Sequence, residues 1–344
     1  MEKNLFAKTV RAGIFGVVVG DALGVPVEFT SRAERDADPV TDMREYGTHY
    51  QPKGTWSDDS SMTFATMDGL IQFDIFDSWV MWDVMNKFVL WLEQGEYTPY
   101  GTAFDVGNTC SKAIMDYKEG VEPTGCGGIG ERDNGNGSLM RIMPFALLSA
   151  GEDDYWSKEK ISETSKIVQA ASSLTHGHSR SRIACLLYTS ACHELICNKE
   201  DGVETCIQRA VDGTFAYFDD VDLWYYWGNS AHMLVELLSN KFWRIRNIKE
   251  FRALSRKEIR SSGYVLDTLE AAFWCLLNTE NYRDCVLAAV NLGEDTDTVG
   301  AVAGGLAGLY YGYDGIPKEW VEVLAKKEWI DGLCGEFAEK YGDE

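Results

Sequence analysis

The stretch Asn291 to Gly312, NLGEDTDTVGAVAGGLAGLYYG, constrains the fold more than any other part of the chain. Gly300, Ala301, Ala303, Gly304, Gly305, Ala307 and Gly308 give a helix almost bare of side chains. Each glycine costs a helix up to ~1 kcal/mol relative to alanine, so this run predicts a helix that other helices approach closely. At its lip, Asp295 and Asp297 alternate with Thr296 and Thr298. Residues two apart on a helix diverge by about 200°. The two carboxylates therefore converge only if the backbone there is still a turn entering the helix.

Apolar residues recur at three- and four-residue spacing in Ser78 to Gly95, Ser179 to Cys197, Val265 to Asn278 and Asn281 to Gly293. Gly95 and Gly293 read as helix stops, and Asp267 and Asn281 as N-caps. No period-two alternation seeds a sheet, and no strand–helix alternation suggests an α/β fold. With seven prolines and no low-complexity linker, the expectation is all-α, one compact multi-helix domain over residues 1–344. Three long polar segments interrupt the helices: Phe29 to Thr55, Glu119 to Gly137, and Asp219 to Ser230. Segments of that length in a compact domain are usually functional or mobile.

A second acidic lip sits in GTWSDDSSMTFATMDGL, Gly54 to Leu70, where Ser57, Asp58 and Asp59 precede a helical run. Taken alone, these are ordinary helix caps. The recurrence of hydroxyl plus two carboxylates at two helix starts suggests instead that the turns face each other. Four gathered carboxylates repel unless cations lie between them, and two divalent ions would balance them. Hard oxygen donors suit Mg²⁺ or Mn²⁺ better than zinc. DTDTVG imitates an EF-hand opening, but Val299 and Leu306 stand where that loop needs oxygen ligands.

The net charge of −22 argues against nucleic acid or an anionic membrane as a partner. The apolar run Ile14 to Gly20 is far short of a span before Asp21, and Glu2 does not suit a signal peptide. Nine scattered cysteines without a CxxC pair suit the reducing cytoplasm. Cys192, His193 and Cys197 have spacing that sends them to different helix faces, which fits packing better than zinc.

Smaller signals remain. GCGGIG, Gly125 to Gly130, matches GxGxxG literally but follows no strand. In GNGSLMRIMP, Gly135, Asn136, Gly137 and Ser138 form either a site whose backbone N–H groups take phosphate or ribose oxygens, or a capped Asn-Gly turn. His176 and His178 lie in SLTHGHSRS. Glu28, after Gly24 and Pro26, is an acid/base candidate, whereas Asp105 reads locally as a helix cap. No GxSxG, HExxH or P-loop is present.

In order, GDALGVPVEF, GTWSDDSSM, GNGSLMRIMP, SLTHGHSRS, SGYVLDTLEAAFW and NLGEDTDTVGAVAGGLAG resemble the ADP-ribosylglycohydrolase family, across Gly20 to Gly308. The resemblance implies an all-α fold and a dinuclear Mg²⁺ or Mn²⁺ centre held by Ser57, Asp58, Asp59, Asp295, Asp297 and Thr298. It implies hydrolysis of the glycosidic bond between ADP-ribose and an acceptor side chain, with arginine favoured over serine. The substrate would be an ADP-ribosylated protein or a small ADP-ribosyl compound, and the enzyme a monomer. Glu28 corresponds to an acidic residue near the ribose in the serine-cleaving branch, and Asp105 to an acidic residue proposed as acid/base in the arginine-cleaving branch. Gly135, Asn136, Gly137 and Ser138 would cradle the pyrophosphate and ribose, with His176 beside them. Tyr264 would pack on adenine or serve as a core tyrosine. Two departures stand out: Ser57 where the family usually has Thr, and Glu294 where it usually has Gly. Two alternatives remain open, a non-catalytic member of the same fold and a hydrolase of another ribosyl conjugate.

Overall fold

The structure, a computed structural model, describes residues 1–75, 77, 79–151, 154–220, 236 and 240–343. Its helices are α1 (Lys3–Gly24), α2 (Arg32–Ala37), α3 (Asp58–Gln72), α4 (Val80–Gln94), α5 (Asn108–Lys118), α6 (Met143–Leu147), α7 (Lys158–Ser173), α8 (Ser179–Cys197), α9 (Val203–Asp220), α10 (Ile248–Arg252), α11 (Val265–Leu277), α12 (Tyr282–Val290), α13 (Thr296–Tyr311), α14 (Lys318–Glu322) and α15 (Lys327–Tyr341). Among the described residues there is no strand, only isolated bridges such as Gly128 to His176 and Gly135 to Tyr264.

The centre of the fold is the antiparallel pair α1 and α13. Glycines recur every fourth residue on both: Gly16, Gly20 and Gly24 on α1, and Gly300, Gly304 and Gly308 on α13. A Cβ built on Gly16 would strike the Gly304 carbonyl, and one on Gly20 the Gly300 carbonyl. The reverse holds for Gly304 against Gly16. The bare helix predicted from the sequence thus has an equally bare partner. That partner is the N-terminal helix, whose FGVVVGDALG carries the same four-residue period. Around the pair, α3, α8, α11, α12 and α15 complete the main core, and Tyr282 seals it by donating from its hydroxyl to the Gly16 carbonyl at 2.8 Å. A smaller apolar cluster joins α3, α4 and α5 through Met62, Val84, Phe88, Trp91 and Ile114.

Local expectations hold in part. Gly95 ends α4 in the left-handed region at φ 69°, and Asn281 caps α12 by accepting from the Asp284 N–H at 2.9 Å. Asp267 is not the cap of α11. Tyr264 holds that position, and Asp267 sits in the first turn accepting from the Ser262 hydroxyl at 2.6 Å. Gly293 lies beyond α12, whose last residue is Val290. Asp21 closes the apolar run but not the helix, which continues to Gly24. With the turn after it, residues Lys3–Val27 are long and apolar enough to cross a membrane by length and composition, yet 94% of the most apolar 18-residue stretch within them is buried inside this fold. The polar segment 29–55 includes α2, and 119–137 includes two short 3₁₀ turns. Of Asp219 to Ser230, the first two residues end α9 and the rest lie outside the described residues.

The α1–α13 contact yields a direct expectation. Gly304→Ala should gain up to ~1 kcal/mol of helix propensity and still destabilise the protein by roughly 1–3 kcal/mol through overpacking. Urea unfolding measures the sum; a variant as stable as wild type would mean that the two helices can separate by a methyl group at no cost.

Candidate metal centre and active site

The α1–α13 pairing delivers the N-terminus of α13 to the C-terminus of α1. Thr296 fastens them, its hydroxyl donating to the Gly24 carbonyl at 2.8 Å. Asp21, one turn before the end of α1, fastens α3 to the same place. Its buried carboxylate accepts from the Ser57 N–H at 2.9 Å and from the N–H and hydroxyl of Ser60 at 3.0 and 2.5 Å. These are N–H groups that the start of α3 cannot satisfy within itself. Burial pushes Asp21 up to about 6, against the lowering by these hydrogen bonds.

The two acidic lips therefore meet. The Thr298 hydroxyl donates to Asp59 Oδ2 at 3.2 Å, and the Ser57 hydroxyl reaches the same oxygen at 3.1 Å. Asp295 is the N-cap of α13 in a non-helical conformation, φ −91° and ψ 77°, and Asp297 lies in the first turn. That is the turn geometry which convergence required. Asp59 and Asp297 are fully buried and Asp58 is 5% exposed. Burial first, then the repulsion of their acidic neighbours, holds Asp58, Asp59 and Asp297 well above the usual carboxylate range. Burial raises Asp295 as well, opposed by a hydrogen bond from Asn136.

A divalent centre fits these residues on an independent ground. Asp59 Oδ1, Asp295 Oδ1 and Asp297 Oδ2 are buried oxygens with no hydrogen-bond donor. An acceptor buried without a donor is costly, and three in one cluster of hard oxygen ligands are what cations would satisfy. The N-termini of α3 and α13 both point here, and their partial positive charge offsets a fraction of the repulsion.

Beside the acids opens a cleft of about 400 Å³, lined by Glu28, Asp58, Asp105, Gly135, Asn136, Gly137, His176, Asp295 and Thr298 among others. A roomier groove of about 890 Å³ lies between α7, α9 and α10 around Trp156 and Tyr217. The donors, not the volume, mark the site. Burial, followed by the charges of Asp105 and Asp295, pushes Glu28 up to about 10. Asp105 does not cap α5, whose N-cap is Gly107; it stands ahead of the helix at φ 54° on the cleft wall.

The other sequence candidates divide. The turn at Gly135 to Gly137 lies directly on the His176 ring: a Cβ on Gly137 would come within 2.8 Å of His176 Cε1. Burial, then the charge of Arg141, holds His176 down at about 3, so the imidazole is neutral. The Thr175 hydroxyl accepts from Arg141 at 2.8 Å and lies 2.9 Å from His176 Nδ1. With that hydroxyl donating to Nδ1, Nε2 keeps its proton and faces the Gly135 side of the cleft. Asn136 is already engaged. Its amide donates to Asp295 Oδ2 and to the Thr268 hydroxyl, both at 2.9 Å, and its N–H donates to the Gly263 carbonyl at 3.0 Å. Its side chain positions a metal-ligand candidate, a different task from cradling phosphate.

Ser138 is fully buried with its hydroxyl on Ser172, and is not among the residues lining the cleft. Tyr264 lines an adjoining cavity of about 640 Å³ with Trp243 and Arg244, under the Arg180 guanidinium at 5.7 Å. His178 caps α8, accepting from the Arg180 N–H at 3.1 Å. Glu294 projects to solvent, not into the acid cluster. Its φ of 64° is the conformation that the glycine usual at this position would adopt without strain.

Comparison with known proteins agrees with this architecture. A family model described as ADP-ribosylglycohydrolase matches residues 1–344. The chain belongs to the ADP-ribosylglycohydrolase family. It is 32% identical to the ADP-ribosylarginine hydrolase Tri1 of Pseudomonas putida, over 96% of this chain and 78% of that one. It is 29% identical to the ADP-ribosyl-[dinitrogen reductase] glycohydrolase of Rhodospirillum rubrum, over 91% and 88%. A solved structure titled ADP-ribosylglycohydrolase-related protein complex superposes with a TM-score of 0.71 at 26% identity, covering 97% of this chain and 99% of that one. Nothing in the sequence marks His49, which stands behind the cleft wall with its Nε2 against the Glu28 carboxyl group.

The crowded carboxylates give a second expectation. In a chelator, Asp297→Asn should raise stability by about 1 kcal/mol or more, because one repelling charge is gone. The same variant should lose the stabilisation that Mn²⁺ confers on wild type. Thermal unfolding with and without Mn²⁺ reads both, and an unchanged Mn²⁺ response would remove Asp297 from the centre.

Proposed function

We propose that this protein is a metal-dependent hydrolase that cleaves the glycosidic bond between ADP-ribose and an acceptor side chain, with arginine favoured over serine. The reading rests above all on the three donor-less buried oxygens of Asp59, Asp295 and Asp297 at the paired helix starts beside the cleft. Ser57, Asp58, Asp59, Asp295, Asp297 and Thr298 would hold two divalent cations, Mg²⁺ or Mn²⁺. When bound, such ions anchor ribose hydroxyls and polarise the reacting region. The substrate would be an ADP-ribosylated protein or a small ADP-ribosyl compound. Nine scattered cysteines without a CxxC pair support a reducing, cytoplasmic setting, and we take the working unit to be a monomer of one domain.

Each cleft residue has a task in this reading. Glu28, kept protonated by burial, carries a proton beside the acids and serves as the acid/base group. Asp105 shares the mouth with Glu28, and its carboxylate there complements the planar, multiply donating guanidinium of an arginine acceptor. The name of the Pseudomonas putida relative, ADP-ribosylarginine hydrolase, supports the same acceptor. Neutral His176 offers an Nε2–H to a ligand oxygen, and Gly135 and Gly137 keep the wall thin enough for backbone approach. Asn136 holds Asp295 in place. Tyr264, in the adjoining cavity, is a flat surface for adenine.

Incubation with ADP-ribosylated arginine and serine peptides in Mg²⁺, Mn²⁺ or EDTA tests the proposal. ADP-ribose should be released from the arginine peptide faster than from serine, and release should fall to background in EDTA. Asp297→Ala should be inactive with an unchanged helical circular-dichroism spectrum. No release from either peptide in any metal would sink the hydrolase reading, and binding of ADP-ribose without turnover would mark a non-catalytic member of the fold.

A further inference from the structure

His49 sits on a five-residue loop, Tyr46 to Tyr50, built with unusual care for a surface segment. Both end residues are left-handed, Tyr46 at φ 63° and Tyr50 at φ 57°. Both side chains are exposed, so their burial does not offset that strain. The strain is held by three anchors on the segment leading to Glu28. Gly47 lies so close to the Pro26 carbonyl that no Cβ would fit. The Thr48 N–H donates to the same carbonyl at 3.0 Å, and the Thr48 hydroxyl donates to the Glu28 carbonyl at 2.7 Å. Closing the loop, the Tyr46 N–H donates to the Gln51 carbonyl at 2.7 Å.

All of this aims one imidazole. The His49 ring lies between Phe29 and Phe104, at centroid distances of 5.9 and 5.3 Å. Its Nε2 contacts Glu28 Oε2 and stands 4.0 Å from Asp105 Oδ1. The far side of Glu28 is fixed too: Phe29, at φ 61°, donates its N–H to the Glu294 carbonyl at 2.7 Å, and the Glu294 N–H donates to the Thr30 carbonyl at 2.7 Å.

We propose that His49 is a positioning residue of the hydrolase: it fixes the orientation of the Glu28 carboxyl, occupying one oxygen and leaving the other for the reacting group. The inference rests on the acid/base reading of Glu28. It assigns the loop 46–50 its purpose, since a backbone strained at both ends and pinned in the middle holds the imidazole to one direction. A carboxyl in a cleft without such a partner is free to rotate, and misplacement of a reacting group by about 1 Å can cost roughly 10²-fold in rate.

The test uses the full chain with saturating Mn²⁺. His49→Ala should lower kcat by roughly 10–100-fold while KM and the ADP-ribose Kd stay within about twofold, an effect that a loop collapse would not give. His49→Gln, which keeps an N–H near the Nε2 position, should recover most of the loss. Glu28→Gln combined with His49→Ala should be no slower than Glu28→Gln alone, because the two residues act as one unit. Independently of turnover, the His49 imidazole ¹⁵N resonances, assigned among five histidines by the His49→Gln variant, should shift in Glu28→Gln. Unchanged kcat in His49→Ala, fully additive losses, or parallel loss of ADP-ribose binding would overturn the positioning role. An imidazole resonance insensitive to Glu28→Gln would overturn the contact itself. Wild type that releases no ADP-ribose would bring down the hydrolase reading, and the resonance would then decide the His49–Glu28 pair alone.

Discussion

Two backbones lying closer than a methyl group allows, Gly16 on Gly304 and Gly20 on Gly300, set the position of everything else in this molecule. Because α1 and α13 run antiparallel at that distance, the end of one helix arrives at the start of the other with little freedom. The hydroxyl of Thr296 and the carboxylate of Asp21 then fix α13 and α3 to the same point. Four aspartates and two hydroxyls from segments more than two hundred residues apart come together as a result. Weak helix propensity along the glycine positions is the cost of that arrangement, and dense packing around Tyr282 and the main core offsets it.

The acid cluster makes sense only as a place where folding and function pull apart. Buried like charges raise one another's proton affinity and leave oxygens without donors. A chain selected for stability alone would replace them with an apolar core. The protein instead surrounds them with partial compensation: two helix N-termini, the Asn136 amide on Asp295, and the hydroxyls of Ser57 and Thr298 on Asp59. What the compensation leaves over is the affinity available to cations.

Much of this was legible in the sequence, and the reasons for the rest are physical. The long helices α4, α8, α11 and α12 carry period-3.6 patterns, so their existence could be read directly, although Tyr264 and not Asp267 occupies the N-cap position of α11. The paired acidic lips were legible because helix geometry forbids Asp295 and Asp297 from converging except at a turn. The partner of the bare helix was missed even though α1 repeats glycine every four residues, because its apolar side chains dominate the pattern. Asp21 capping α3 and His49 reaching Glu28 join positions 36 and 21 residues apart through loops, and no local period encodes such contacts. Asn136 and Ser138 show the converse: a Gly-Asn-Gly-Ser string looks ready for a ligand, yet the fold had already committed both side chains to protein neighbours.

The glycine seam also limits how a relative of this protein can change. No side chain can be added along it, so the floor of the cleft cannot be widened, tilted or re-lined from beneath by single substitutions. The walls are different. Phe29, His49, Asp105 and the tyrosines at 46 and 50 sit on loops whose geometry depends on a handful of hydrogen bonds. New acceptors, larger or differently charged, would therefore be reached by remodelling the rim while the floor stays the same. The molecule separates a part that cannot drift from a part that can, and the boundary runs through the peptide between Gly293 and Asp295.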